Sequence, residues 1–234
     1  GFEVFRARGA REGMAALGRI ESAFNWVLAD SSGSIGYQMS GRMPIRRKGV
    51  SGLVPLPGWD PENDWRGFAE PEDLPRCIDP PDGYIVTANH DLNHLGRLSP
   101  ITLPMGDSRA GRIAERLAGR DDWTAAELGA LQLDVSSRQA EAFMEILRPL
   151  LPPGRRADVL RAWDCCYETR SLGATLFERW YRELMIEVFG GTLGGEVAAF
   201  VLGETGIVAD FYANFDAVLL SELSQWFGGS AREQ

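Results

Sequence analysis

The 234 residues carry 24 Lys and Arg against 33 Asp and Glu, a formal net charge of −9, and the sequence pI is near 4.9. Such an acidic balance excludes a nucleic-acid groove and opposes binding to an anionic membrane surface, while the length buries a sizeable core as one large domain or two small ones. Cys77, Cys165 and Cys166 lack C-x-x-C spacing, so neither a disulfide framework nor a zinc site is indicated, and no apolar run approaches the ~20 residues needed to cross a bilayer.

In chain order, GFEVFRARGA lacks both an initiating Met and the apolar core of a signal peptide, so a processed product or an excised piece of a longer protein is expected. Residues 7–22 then place Met14, Leu17 and Ile20 on one face of a short amphipathic helix, against the cost of two internal glycines. FNWVLAD and IGYQMSG, joined by SSGS, predict a β-hairpin in which Gly33 supplies a positive φ. Eight prolines between Met43 and Asp82 resist helix and sheet alike. Trp59, Trp65 and Phe68 in the same stretch predict an ordered, extended surface layer that covers the sheet. YIVTAN predicts a strand, followed by a polar loop to about Gly106.

Beyond Gly106 the pattern turns helical. RAGRIAERLAG places Ile113, Ala114 and Leu117 on one face. Thr124 followed by Glu127 is a capping-box pattern, opening a long helix that runs to Pro152-Pro153. SLGATLFERWYRELMIEVF predicts another helix with Leu172, Leu176, Trp180 and Leu184 on its buried face, and a weaker pattern covers Asn214 to Phe227. Strands first and helices second predict an α+β fold, with a β-rich part over residues 1–105 and a helical region over 106–234.

The residues that carry chemistry are few. His90, Asp91 and His94 fall within five positions and would share a face for a metal if helical, but Asn89, Asn93 and Gly96 favour a loop with solvated histidines. Ser40 precedes Gly41 without a G-x-S-x-G elbow and reads as structural. Cys165-Cys166 would need a base to lower a thiol pKa, and no histidine is near in sequence. GTLGG follows a helix and lacks a Lys-Ser/Thr pair, against a phosphate loop. Asn89 closes the run GYIVTANHDLN. From the residues alone, its side chain either caps the loop, the commoner use, or offers its NH₂ to a developing oxyanion.

The order NWVLADSSGSIGYQMSGRMPIR, GLVPLPGWD, DWRGF, DLPR, PPDGYIVTANHDLN resembles the β-subunit of the penicillin acylase family of N-terminal-nucleophile (Ntn) hydrolases. DSRAGRIAERLAG, WTAAELGALQLDVSSRQA and LGATLFERWYREL continue it, so the resemblance spans about residues 18 to 190. It implies part of an αββα sandwich of antiparallel strands followed by a mainly helical region. It also implies a self-cleaving precursor whose exposed serine is the nucleophile and whose α-amino group, with a pKa near ~8, is the base. Asn89 matches the family's oxyanion asparagine. Arg109 matches an arginine that positions nucleophile and asparagine, with Arg112 as a nearby competitor.

Residue 1 is Gly, so the serine is expected well upstream, and this chain as an internal segment that is inactive alone. Its implied partners are the rest of the β-subunit, the α-subunit and a small acyl-amide substrate, with no nucleic acid and no membrane. No cofactor is implied. Family members often bind a structural calcium, which the resemblance allows for the intact protein, but the loop after Asn93 has no acid before Asp107 and offers no carboxylate match here. A periplasmic location rests on the resemblance alone. Two other readings stand beside this one: a non-catalytic binding or scaffold subunit that uses Trp59, Trp65 and Phe68 as a contact surface, and a metal-dependent enzyme built on His90, Asp91 and His94.

Overall fold

The computed structural model describes residues 2–50, 52–100, 104–203 and 211–221, with the backbone alone at 192, 201–203 and 211–214. Contacts divide the chain into two units, Gly1–Leu103 and Pro104–Gln234. Among the described residues no helix is long and apolar enough to cross a membrane.

In the first unit, helix α1 (Ala10–Gly18) follows a 3-10 turn, Phe2–Arg6, and covers a three-stranded antiparallel sheet. Strands β1 (Phe24–Ala29) and β2 (Ile35–Ser40) form the expected hairpin, pairing Phe24 with Ser40 and Ala29 with Ile35. Gly33 in its turn has φ 91°. The turn is organised by Asp30, whose Oδ1 accepts the Ser32 and Ser34 backbone N–H groups at 2.9 and 3.2 Å. The glycines that weaken α1 by propensity are what let it sit close to the sheet. A Cβ on Gly13 would fall 2.5 Å from Leu28 Cδ2, and one on Gly36 of β2 would fall 2.6 Å from Met14 Sδ. Met14 and Tyr37 are both 1% exposed.

Three expectations for this unit fail. The proline-rich stretch does contribute a strand, β3 (Arg76–Ile78), which pairs with the free edge of β2. It fits there because it is short and at a sheet edge, where flanking prolines break no central ladder. Pro75 even serves as an acceptor, taking the Met39 N–H at 2.9 Å. YIVTAN, by contrast, forms no strand: residues 84–87 are half-buried but without a ladder partner. The sheet is made of β1, β2 and β3 alone, and this run pairs with none of them. The aromatic layer is also not a cover. Trp59 is 88% exposed, and Trp65 and Phe68 pack on each other, at 5.9 Å between ring centroids, and under Arg46 and Arg42.

The second unit is helical. Helix α2 (Ser108–Leu117) lies where the pattern placed it. The long helix expected from Thr124 is two helices, α3 (Ala125–Leu131) and α4 (Arg138–Leu147), ending in a 3-10 turn, Arg148–Leu150. The capping box at Thr124 and Glu127 is present. The break falls at Asp134-Val135-Ser136-Ser137, where polar side chains take over backbone groups that a continuous helix would pair internally. Asp134 accepts the Ser136 N–H at 2.9 Å and Ser137 Oγ caps α4 by accepting the Ala140 N–H at 3.1 Å.

Helix α5 (Arg155–Ala162) was not foreseen, because its arginine-rich sequence buries only Ala157 and Leu160. Helices α6 (Leu172–Leu193), α7 (Gly195–Gly203) and α8 (Phe211–Leu220) follow. The expected pattern from Asn214 to Phe227 coincides with α8 in part, and its residues 222–227 lie outside the described ones.

On α6 the buried stripe is offset by one position from the one expected. Phe177, Tyr181, Met185 and Phe189 are at most 4% exposed, whereas Leu172 is 68% exposed. Leu176, Trp180 and Leu184 flank the core in a half-buried layer. Phe143 of α4 and Trp163 after α5 select the aromatic side, lying 6.4 and 5.3 Å from the Phe177 ring.

Candidate functional site

Asn89 sits at the end of the extended run 84–87, solvent-exposed, with φ 62°. This left-handed conformation is uncommon outside glycine, and asparagine is among the few residues that adopt it at modest cost. Three neighbouring side chains hold the turn. His90 Nδ1 accepts the Ala88 N–H at 3.4 Å, Asp91 Oδ1 accepts the Asn93 N–H at 2.8 Å, and Asn93 Nδ2 donates to the Pro100 carbonyl at 3.2 Å. The loop expected between the strand pattern and Gly106 is therefore stitched by His90, Asp91 and Asn93, with His94 exposed. Among the described residues no group of three or more His, Cys, Asp or Glu is arranged to hold a metal ion.

The two candidate arginines separate by their partners. Arg112 is a structural clamp: its Nη2 and Nε donate to Asp134 Oδ2 at 2.8 and 3.1 Å, and its Nη1 pairs with Glu115 at 3.2 Å. These contacts tie α2 to the α3–α4 turn. The hydrogen bond to Asp134 raises the Arg112 pKa further. Burial works against ionisation of Asp134, but the Ser136 N–H and Arg112 outweigh it and hold the carboxyl below its usual value. Arg109, in the first turn of α2, is exposed and donates from Nη2 to Met105 Sδ at 3.3 Å. Asn89 belongs to the first unit and Arg109 to the second.

The other nucleophile candidates are accounted for by packing. Ser40 is fully buried, donates to the Ser22 carbonyl at 2.7 Å and accepts from Trp26 Nε1 at 2.9 Å. Burial pushes the Cys165 thiol up despite Arg148 nearby, the opposite of activation. Cys166 Sγ lies 3.4 Å from Ser136 Oγ, beside the isolated bridge between those two residues. GTLGG is the junction of α6 and α7, with Gly194 at φ 83° ending the first helix.

Sequence reasoning missed a cleft of about 550 Å³ in the helical unit, between α2, the α3–α4 turn and α8. Arg109, Arg112, Arg116 and Arg138 line it against only Asp134 and Asp216. Asp216 accepts from Gln139 Nε2 at 2.6 Å and from the Tyr181 hydroxyl. Burial raises its pKa, although these two donors pull the other way. Its lining residues are spread over more than a hundred positions, so no local motif announces it.

The penicillin amidase family model matches residues 1–234. The chain is 34% identical over 168 residues to a penicillin acylase 2 proenzyme of Pseudomonas sp. strain SE83, covering 68% of this chain and 21% of that protein. It is likewise 34% identical over 221 residues to an acyl-homoserine lactone acylase QuiP of Pseudomonas fluorescens strain Pf-5, covering 83% of this chain and 26% of that protein. A thermostable penicillin G acylase from Alcaligenes faecalis shares the fold with a TM-score of 0.68 at 21% identity, over 85% of this chain and 38% of that one. The chain thus spans about a quarter of the length of these curated relatives.

Proposed function

The chain belongs to the penicillin amidase family, and from that premise we propose that it is a segment of an acyl-amide hydrolase whose nucleophilic serine lies upstream. The family match over all 234 residues carries the reading. Its substrates are then linear amides of the kind named for its relatives, penicillins or acyl-homoserine lactones.

In this reading the first unit is part of an αββα Ntn-hydrolase sandwich and the second its helical continuation. The partners are the remaining β-subunit and an α-subunit produced by self-cleavage, in a periplasmic setting.

The serine hydroxyl adds to the amide carbonyl while the α-amino group takes its proton. Collapse of the tetrahedral species breaks the C–N bond, the amine leaves with that proton, and water then hydrolyses the acyl-serine ester. The exposed left-handed position of Asn89, with the neighbouring turn held by His90 and Asp91, supports an amide that donates to the oxyanion. A neutral donor suits this role because it stabilises developing charge without a proton to lose. Arg109 is the positioning arginine, and Arg112, committed to Asp134, is the clamp that fixes its helix.

The test is Asn89→Gly in the intact enzyme, which keeps the left-handed backbone while removing the amide. We expect kcat to fall by about two to three orders of magnitude with KM little changed. Near-normal kcat returns Asn89 to a loop role. A second reading, a non-catalytic binding or scaffold subunit, draws on the exposure of Trp59 and Trp65. Acyl-amide turnover by the intact wild-type protein excludes it.

A further inference from the structure

The cleft in the helical unit holds Arg109 and Arg112, to which the hydrolase reading gives roles, together with Arg116 and Arg138, which it does not use. Four arginines face two aspartates there, in a chain whose net charge is −9. Asp134 is neutralised by its ion pair with Arg112, with Arg116 Nε a further 3.7 Å contact. Asp216 is half-buried and its oxygens are engaged by Tyr181 and Gln139. The two acids are therefore outnumbered by the arginines of the wall.

Arg138, the first residue of α4, makes no ion pair with any carboxylate among the described residues. Its guanidinium approaches α2 at Gly111 through Nη1, where a Cβ would fall 2.2 Å from Nη1 and 3.1 Å from Cζ. The absence of a side chain at Gly111 thus seats the arginine at the cleft. It also stands beside the α4 N-terminus, whose partial positive charge favours an anion. Met105, Ile113, Leu131 and Val135 supply an apolar wall. A volume near 550 Å³ is within the range of small-molecule sites.

We propose that this cleft binds an amphipathic organic monoanion, with its carboxylate on Arg138 and its apolar body against Ile113, Leu131 and Val135. Planar guanidinium and carboxylate groups match in a two-pronged hydrogen bond. An apolar body adds burial against the apolar wall, so inorganic anions gain only part of the interaction. The inference stands on the helical unit alone and does not depend on Asn89.

The experiment is calorimetric titration of the intact protein with 2-naphthoate, its neutral analogue 2-naphthamide, and acetate. We expect naphthoate to bind at least about tenfold more tightly than either control. Arg138→Gln should weaken naphthoate by roughly tenfold or more without lowering Tm, because the side chain is exposed. Arg138→Lys, which keeps the charge but loses the fork, should fall between the two. Equal affinity for naphthoate and naphthamide, unchanged binding to Arg138→Gln, or no heat up to about 10 mM naphthoate would each overturn the proposal.

Discussion

Asp30 of the β1–β2 turn accepts the Ala10 backbone N–H at 2.9 Å, so the hairpin supplies the cap for the helix that covers it. The helix has no side-chain cap of its own at Gly9, and an uncapped first turn leaves its N–H groups without acceptors. The same carboxylate orders the turn through Ser32 and Ser34. Removing it therefore loosens two elements together. Asp30→Ala is expected to lower Tm by several degrees in a thermal melt, and Asp30→Asn by less, because its amide oxygen still accepts.

A pH dependence follows from the same contacts. Hydrogen bonds from the Ser32 side chain, then from the Ala10 N–H, lower the Asp30 pKa from 3.8 to about 2. A depressed carboxyl pKa contributes stability that is fully present above the unfolded value and is lost as pH falls through the folded one. The Tm difference between wild type and Asp30→Ala should accordingly hold above pH 4 and shrink toward pH 2. A difference that stays constant across that window would assign the effect to packing.

Phe177 is fully buried, with ring contacts to Phe143, Trp163, Trp180 and Tyr181. Truncation leaves a cavity that aromatic neighbours cannot close, so Phe177→Ala should cost about 3–5 kcal/mol in denaturant unfolding. Gly173, one turn earlier, is a sharper test of the same interface. A Cβ there would fall 2.2 Å from Trp163 Cγ. Helix propensity favours Ala over Gly by about 1 kcal/mol, yet overpacking costs about 1–3 kcal/mol. Gly173→Ala is expected to be destabilising on balance, whereas Gly129→Ala, whose Cβ meets nothing, should be neutral or stabilising.

These sites also show which parts of the molecule local rules can reach. The hairpin, the Thr124–Glu127 capping box and α2 depend on residues within a few positions of each other, and the chain states them directly. Strand β3 depends on an edge of β2 about forty residues away, and YIVTAN pairs with none of the three strands, so neither could be read from a window. Along α6 the two stripes, Leu172-Leu176-Trp180-Leu184 and Phe177-Tyr181-Met185-Phe189, have the same spacing. Only the positions of Phe143 and Trp163 choose between them. At the site, Asn89 stood out through its motif, but its left-handed backbone is a property of the folded loop. The cleft has no motif because Gln139 and Asp216, bonded to each other, are 77 residues apart.

That Gln139–Asp216 contact yields the last prediction. Asp216 is half-buried, its Oδ2 accepting from Gln139 and its Oδ1 from the Tyr181 hydroxyl, and burial raises its pKa above the ordinary 3.8. Glu178 pushes in the same direction. A carboxyl whose folded pKa is raised holds its proton more tightly in the native state, so its stabilising contribution is present below the unfolded value and disappears as pH rises through the folded one. At neutral pH the ionised group is a net burden. Asp216→Asn removes that titration while leaving an amide oxygen for Tyr181, and Gln139 can rotate its amide to accept from the new NH₂. The variant should therefore match or exceed wild-type stability at pH 7. Its advantage should narrow as pH falls through the raised pKa toward 3.8. Chemical denaturation at a series of pH values measures both curves, and a variant less stable at pH 7 than at pH 4, relative to wild type, would show that the anionic hydrogen bonds outweigh the burial.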